Sequence, residues 1–352
     1  MKRLLALIFT FSTLEVSSQD INVSAYLETY YGYDFNKPSD HERPAFVYSH
    51  NRHNELNLNL GYIKATYDKG KVRSALAVMA GTYANANLAA EPGVLKNIFE
   101  ANAGFRLSES ANLWIDAGIF ASHIGFESAV SKDCWTLTRS ILAENSPYYE
   151  SGAKLTYISD NNKWLLSGLF LNGWQHIQRP QGNNTPAFGT QITFTPNPRV
   201  KLNYSTFTGN DKPDELRQMR YFHNFYGIFQ IADKVHLITG FDFGSEQKSR
   251  GSSDYNQWYS PVLIVKMNLN EKWAAAGRWE YYSDSQGVII DTGTPNGFET
   301  TGLSLNIDYS PMSNAILRLE GKVYDSKDKV FIRDITPVNH SSTLTASMAV
   351  SF

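Results

Sequence analysis

Ser122 and His123 stand side by side, the residue types from which a hydroxyl nucleophile and its base are built. On a strand, however, adjacent side chains point to opposite faces, so the two cannot act together. His236 and Asp242 share a parity but lie far apart, roughly 20 Å along a strand. His50 and His53 occupy a polar stretch that offers no clear carboxylate partner. Asp211, Asp214 and Glu215 are oxygen donors of the kind a hard divalent cation takes, though a solvated acidic turn accounts for them more simply. Cys134 is the single cysteine, which excludes an internal disulfide and thiolate metal spacing. No catalytic set, cofactor or metal site is therefore expected. The formal net charge of −2 gives no reason to expect a nucleic-acid partner.

The remaining chemistry is a set of single charges that recur at every second position. Ile21, Val23, Ala25 and Leu27 alternate with Asn22, Ser24, Tyr26 and Glu28. Leu56, Leu58, Leu60 and Tyr62 alternate with Glu55, Asn57, Asn59 and Gly61, and Phe99, Ala101, Ala103 and Phe105 with Glu100, Asn102, Gly104 and Arg106. This period of two is that of strands with one apolar and one polar face. It predicts sixteen strands: 21–35, 55–67, 71–84, 98–108, 112–124, 148–158, 163–175, 187–195, 199–208, 221–231, 234–245, 257–268, 272–283, 299–309, 314–325 and 341–352. In 163–175 both faces are apolar, so its parity stays open.

Between these strands, connectors alternate short and long. Asp68–Gly70, Glu109–Ala111, Asn270–Glu271 and similar tight turns alternate with polar stretches such as Asn36–Asn54 and Gly125–Pro147. An even strand number with short turns at one end and long loops at the other is the layout of a transmembrane β-barrel. The expected fold is thus all-β, a transmembrane antiparallel up-and-down barrel. Lipid lies outside it, and aromatic residues such as Trp164, Trp273 and Tyr309 stand at its rim. Met1, Lys2 and Arg3 followed by the apolar stretch from Leu4 predict a secretory signal peptide at 1–18, leaving 19–352 as a single barrel domain in the outer membrane. The alternating last strand ends in Phe352, as expected of a segment read by barrel-assembly machinery.

Parity sends one group of charges into the lumen: Glu28, Arg73, Glu100, Arg106, Asp116, Lys154, Asp242, Arg278, Glu280, Arg318, Glu320 and Lys322. Glu55, Glu150, Lys201, Lys266 and Asp308 share that assignment. Arg or Lys facing lipid at the midplane would cost about 2–4 kcal/mol. Neither sign dominates, which argues against strong ion selectivity.

The stretch from Asn112 to Asp160 carries a further signal. It reads Leu113-Trp114-Ile115-Asp116-Ala117-Gly118-Ile119-Phe120, then Trp135-Thr136-Leu137-Thr138-Arg139-Ser140 and Glu144-Asn145-Ser146-Pro147-Tyr148-Tyr149-Glu150-Ser151-Gly152. It resembles the OmpL-like β-barrel porins of Bacteroidetes-type bacteria. The resemblance implies an outer-membrane location and a diffusion pore for small hydrophilic solutes, with no catalytic residues. A substrate-specific channel for sugars or oligopeptides and a closed structural or adhesive barrel are the alternatives. A homotrimer is a further expectation.

Gly125–Pro147 is the longest connector, and Trp135, Leu137, Ile141 and Leu142 suit it poorly to full solvation. It is expected to fold into the lumen and narrow it, presenting Glu127, Lys132, Asp133, Arg139 and Glu144 to the permeating solute. Cys134, on the same segment, is expected to be a probe of the pore.

Overall fold

The computed structural model describes residues 20–352. The signal peptide expected at 1–18 lies outside the described residues.

The strands that cross the membrane are β1 (Ile21–Asp34), β2 (Leu56–Lys69), β3 (Val72–Ala80), β4 (Ile98–Arg106), β5 (Asn112–Ala121), β6 (Tyr149–Ile158), β7 (Trp164–Leu171) and β8 (Ala187–Asn197). They continue with β9 (Val200–Gly209), β10 (Arg220–Ala232), β11 (Val235–Gln247), β12 (Tyr255–Asn268), β13 (Trp273–Asp284), β14 (Phe298–Met312) and β15 (Ala315–Ser326). A small hairpin, β16 (Phe331–Arg333) and β17 (Thr336–Val338), precedes the last wall strand, β18 (His340–Ser351). Each wall strand pairs with its chain neighbour, and β18 closes the sheet onto β1 through pairs from Tyr26↔Ser351 to Asp34↔Thr343. The result is a closed antiparallel barrel of sixteen strands with no open edge, as a bilayer demands of strands. Among the described residues no helix is long and apolar enough to cross a membrane, which says nothing against a crossing by strands.

Residue parity sets the two faces. On β14, Leu303, Leu305 and Ile307 are exposed on the outer wall, whereas Ser304, Asn306 and Asp308 are buried inside. On β7, Trp164, Leu166 and Phe170 point outward and Ser167, Leu169 and Leu171 inward, which resolves the parity of 163–175. Its inner face is apolar because Leu169 and Leu171 belong to a core that fills part of the barrel mouth. That core includes Phe46, Phe120, Phe207, Phe222, Trp258, Phe298 and Phe331.

In β2 and β4 simple alternation fails at β-bulges within the wall. In β2 the register against β1 slips between Glu28 and Thr29, whose partners are Leu60 and Leu58. Asn59 is the extra residue, so Asn59 and Leu60 are both buried and everything after them swaps face. Leu60 and Tyr62, expected on the lipid face with Leu56, therefore point inward. In β4 the register against β3 slips between Ala77 and Val78, and Phe99 joins Glu100 on the inner face. Strand 71–84 is also shorter than expected. It stops at Gly81, and Thr82–Asn87 forms the short helix α1 instead. Gly81 has φ +129°, and a Cβ there would meet the Asn59 carbonyl oxygen at 2.3 Å. Tyr83 is buried in this helix.

Candidate functional site: the infolded third loop and the wall it faces

The third loop (122–148) does not extend outward. Its chain runs across the lumen and docks on the inner face of β13–β15, β18 and β1. The apolar patch recognised in the sequence supplies part of the reason. Leu137, Ile141 and Leu142 are fully buried. Leu142 packs with Ile238, Val262 and Ile264, inward apolar residues of β11 and β12, with Trp135 against the same cluster. Burial of each such side chain contributes roughly 1.5–3 kcal/mol. The short helix α2 (Ile141–Glu144) turns the chain back, capped by the Ser140 hydroxyl, which accepts from the Ala143 N–H.

Wall charges satisfy the backbone of this segment, which has no strand partner of its own. Glu320 accepts from the Thr138 N–H at 2.5 Å, and Glu280 from the Ile141 N–H at 2.6 Å. Arg278 donates to the Thr136 hydroxyl and the Thr138 carbonyl at 2.6 and 2.7 Å. Arg318 donates to the carbonyls of Ser131 and Cys134 at 2.5 and 3.0 Å while held by Asp308. Lys322 donates to the Arg139 carbonyl at 2.9 Å. These interactions are charge-assisted and shielded from water, the setting in which hydrogen bonds contribute most.

The expectation that all these wall charges meet an aqueous pore is corrected. Glu28, Arg278, Glu280, Arg318, Glu320 and Lys322 are buried beneath the loop, and Asp242 is buried against Asn224. Asp116 is buried in a paired contact with Arg73, whose Nη2 lies 2.5 Å from its carboxylate. Arg73, Glu100, Arg106 and Lys154 keep partial exposure on the inner face of β3, β4 and β6. Lys64, on β2, pairs with Glu100 at 2.7 Å. Glu55 turns to Arg52 in the first loop, 2.7 Å away.

The loop charges need the same correction. Arg139 is almost fully buried and staples the loop to itself, donating to the carbonyls of Ser128, Leu137 and Ala129. Burial opposes its charge, yet its guanidinium is held above its ordinary value, with the Glu28 and Glu127 carboxylates among the causes. Glu127 is buried and accepts from the Ser140 N–H at 3.0 Å and from its hydroxyl. Glu144 is buried and accepts from the N–H groups of Tyr48 and Ser49 at 3.1 and 3.2 Å, tying the first loop (35–55) to the third. Burial raises its carboxyl to about 7, against the lowering influence of Arg139 and Lys322. Only Lys132 and Asp133 stand at the exposed tip, with side chains 36% and 54% accessible. Cys134 is buried behind them, and burial pushes its thiol up.

One buried constellation escaped the sequence. His50 Nε2 lies 3.2 Å from Glu28, with both side chains fully buried. The Ser131 hydroxyl donates to the same carboxylate, and Asn59 donates to it at 2.9 Å. Both Ser131 and His50 end on the carboxylate, so the imidazole does not sit between hydroxyl and acid as a nucleophilic triad requires. Its effect is to pin first and third loops to β1 and β2. Burial lowers the His50 imidazole from its ordinary value, opposed by Glu28. The other sequence candidates separate as well. His123 faces the Thr206 carbonyl at 2.8 Å, and Asp214 accepts from Asn184 and Thr185. Asp211 pairs with Arg220 at 3.0 Å. Among the described residues no cluster of three or more His, Cys, Asp or Glu is placed to hold a metal ion.

The partly exposed charges of β2, β3, β4 and β6 line the wall away from the docked loop, and near the loop base a cavity of about 190 Å³ is lined by Met79, Tyr83, Phe99, Glu100, Phe126 and Glu127. At the periplasmic end a cavity of about 700 Å³ is bordered by Lys234, Lys266, Lys272 and Asp308.

A closed sixteen-stranded barrel with an apolar outer wall, a charged inner wall and a loop folded across its lumen defines an outer-membrane porin. The family described as "Putative beta-barrel porin-2, OmpL-like" matches residues 20–352, and the chain belongs to it. No curated protein matches the chain in sequence. Solved structures show the same fold at low identity. The anion-selective porin from Comamonas acidovorans aligns over 94% of this chain and 99% of that one, with a TM-score of 0.60 at 7% identity. The outer membrane channel DcaP of Acinetobacter baumannii aligns over 94% and 97%, with a TM-score of 0.59 at 10% identity. OmpT of Vibrio cholerae, in a trimer form, aligns over 94% and 99%, with a TM-score of 0.60 at 9% identity.

Proposed function

We propose that this porin passes small hydrophilic solutes passively along an off-centre path between the third-loop tip and the inner wall of β2–β6. The observation that carries this reading is the docking of the third loop on the opposite wall, which leaves Lys132 and Asp133 facing the partly exposed charges of the near side. Lys64 pairs with Glu100 and Arg73 with Asp116, leaving Arg106 and Lys154 in excess along this wall, so the path gives anions a modest preference. The apolar core at the mouth closes the side along β7–β15 and favours a narrow passage over a wide one. Arg278, Glu280, Arg318, Glu320 and Lys322 of the wall are engaged in holding the third loop, which supports a channel whose width that loop sets.

A homotrimer is proposed by analogy with the trimer form of OmpT, and cleavage of the leader at 1–18 remains part of the proposal. The exposed Phe352, whose backbone pairs with Ala25 at the barrel seam, is proposed as the element that assembly machinery reads. Swelling of liposomes that contain the purified protein tests the function. Isosmotic glycine should enter and swell them, and the rate should fall as the solute grows. Folded protein that admits no solute would establish the closed structural barrel instead.

A further inference from the structure

Two separate β-bulges put aromatic rings where uninterrupted alternation would have turned them toward lipid. The bulge in β2 brings Tyr62 to the inner face, and that in β4 brings Phe99 beside it. Their rings are nearly parallel, 5.0 Å apart with 15° between planes. Tyr26 extends the row, 5.7 Å from Tyr62. Tyr26 touches the Ser131 hydroxyl at 3.1 Å, so the row begins beside the loop tip that carries Lys132 and Asp133. Tyr62 and Phe99 stay partly exposed, unlike the fully buried rings of the mouth core. Bulges that re-aim side chains concentrate at functional positions.

Polar groups border the same rings. Lys64 and Glu100 form an ion pair at 2.7 Å, with side chains 26% and 16% accessible. A ring face flanked by donors and acceptors of cancelling charge suits a solute with one apolar face and a rim of hydroxyl groups. It suits an ion poorly, because the pair offers no net field.

We propose that the Tyr62–Phe99 row, with Lys64 and Glu100, is a stacking subsite for neutral pyranose sugars within the passage. Tyr26 and Tyr62 stack in turn behind Phe99, so the sugar's C–H face would lie on the remaining face of Phe99, the ring that lines the cavity at the loop base, and its hydroxyls would accept from Lys64 and donate to Glu100. This inference rests on the channel reading above.

The test is single-channel recording in potassium chloride with maltotriose as probe. Maltotriose should interrupt the current reversibly and in a concentration-dependent way. Phe99→Leu, which keeps an apolar group, should weaken the block about three- to tenfold, each blocking constant being read relative to that variant's own open-channel current. Glu100→Gln together with Lys64→Gln should weaken it too. Discrete current steps without maltotriose block, or a block that Phe99→Leu does not alter, would overturn the subsite and leave the channel intact. Absence of steps from heat-modifiable, folded protein would overturn both.

Discussion

Replacing Arg318 by methionine should release the third-loop tip. The Arg318 guanidinium holds the carbonyls of Ser131 and Cys134, the residues on either side of Lys132 and Asp133. Hydrogen bonds from a charged donor are worth about 1.5–3 kcal/mol each, so the tip loses about 3–6 kcal/mol of docking. Even about 3 kcal/mol lowers the docked-to-released ratio more than a hundredfold. Asp308 would also be left in a buried site with one remaining donor, Asn306 at 2.8 Å, which further unsettles that wall. The rest of the loop keeps its anchors to Glu320, Glu280 and Arg278, so the barrel should still assemble. Single-channel recording of Arg318→Met should show larger and noisier conductance than wild type, with Arg318→Lys between them. Wild-type conductance from correctly folded Arg318→Met would refute the idea that this anchor sets the passage.

Other perturbations follow from the same geometry. The buried thiol of Cys134 should react slowly with a bulky maleimide in the wild type and distinctly faster in Arg318→Met, read by mass spectrometry. A tag at Gln286–Gly287 should be reachable on intact cells and one at Asn161 should not, because these lie at opposite ends of the barrel. The amide hydrogens of Tyr48 and Ser49, bound to Glu144, should exchange faster as pH rises from 6.5 to 7.5, after correction for intrinsic exchange. The sign follows from the carboxyl raised to about 7. Its contribution to docking is complete below the ordinary carboxyl range and lost as pH passes through 7. His50, whose imidazole is lowered in the docked state, acts in the opposite sense, because its charging in the released state weakens docking as pH falls through about 6.5. Glu144→Gln should abolish the rise, and an unchanged pH dependence in that variant would assign it to another group.

The barrel was legible because lipid on one side and protein or water on the other impose a period of two, and because turns and loops alternate with direction. Leu303, Leu305 and Ile307 obey that rule throughout. Tyr62 and Phe99 do not, since one inserted residue reverses parity and leaves no mark on local hydrophobicity. The docked third loop was foreshadowed by Leu137, Ile141 and Leu142, which had to find an apolar wall. What its charges do was hidden. A glutamate that accepts from two backbone N–H groups, such as Glu144, reads the same in sequence as one that faces solute. His50 and Glu28 meet only because the first loop folds back over its own hairpin, a contact that no spacing encodes.

The central claim is a water-filled path whose width the third loop sets. Planar-bilayer recording of the purified protein beside a variant lacking Lys132–Leu142 tests it most directly. Discrete conductance steps are expected from the wild type and clearly larger ones from the deletion. Steps of equal size from two folded proteins, or none from either, would contradict it.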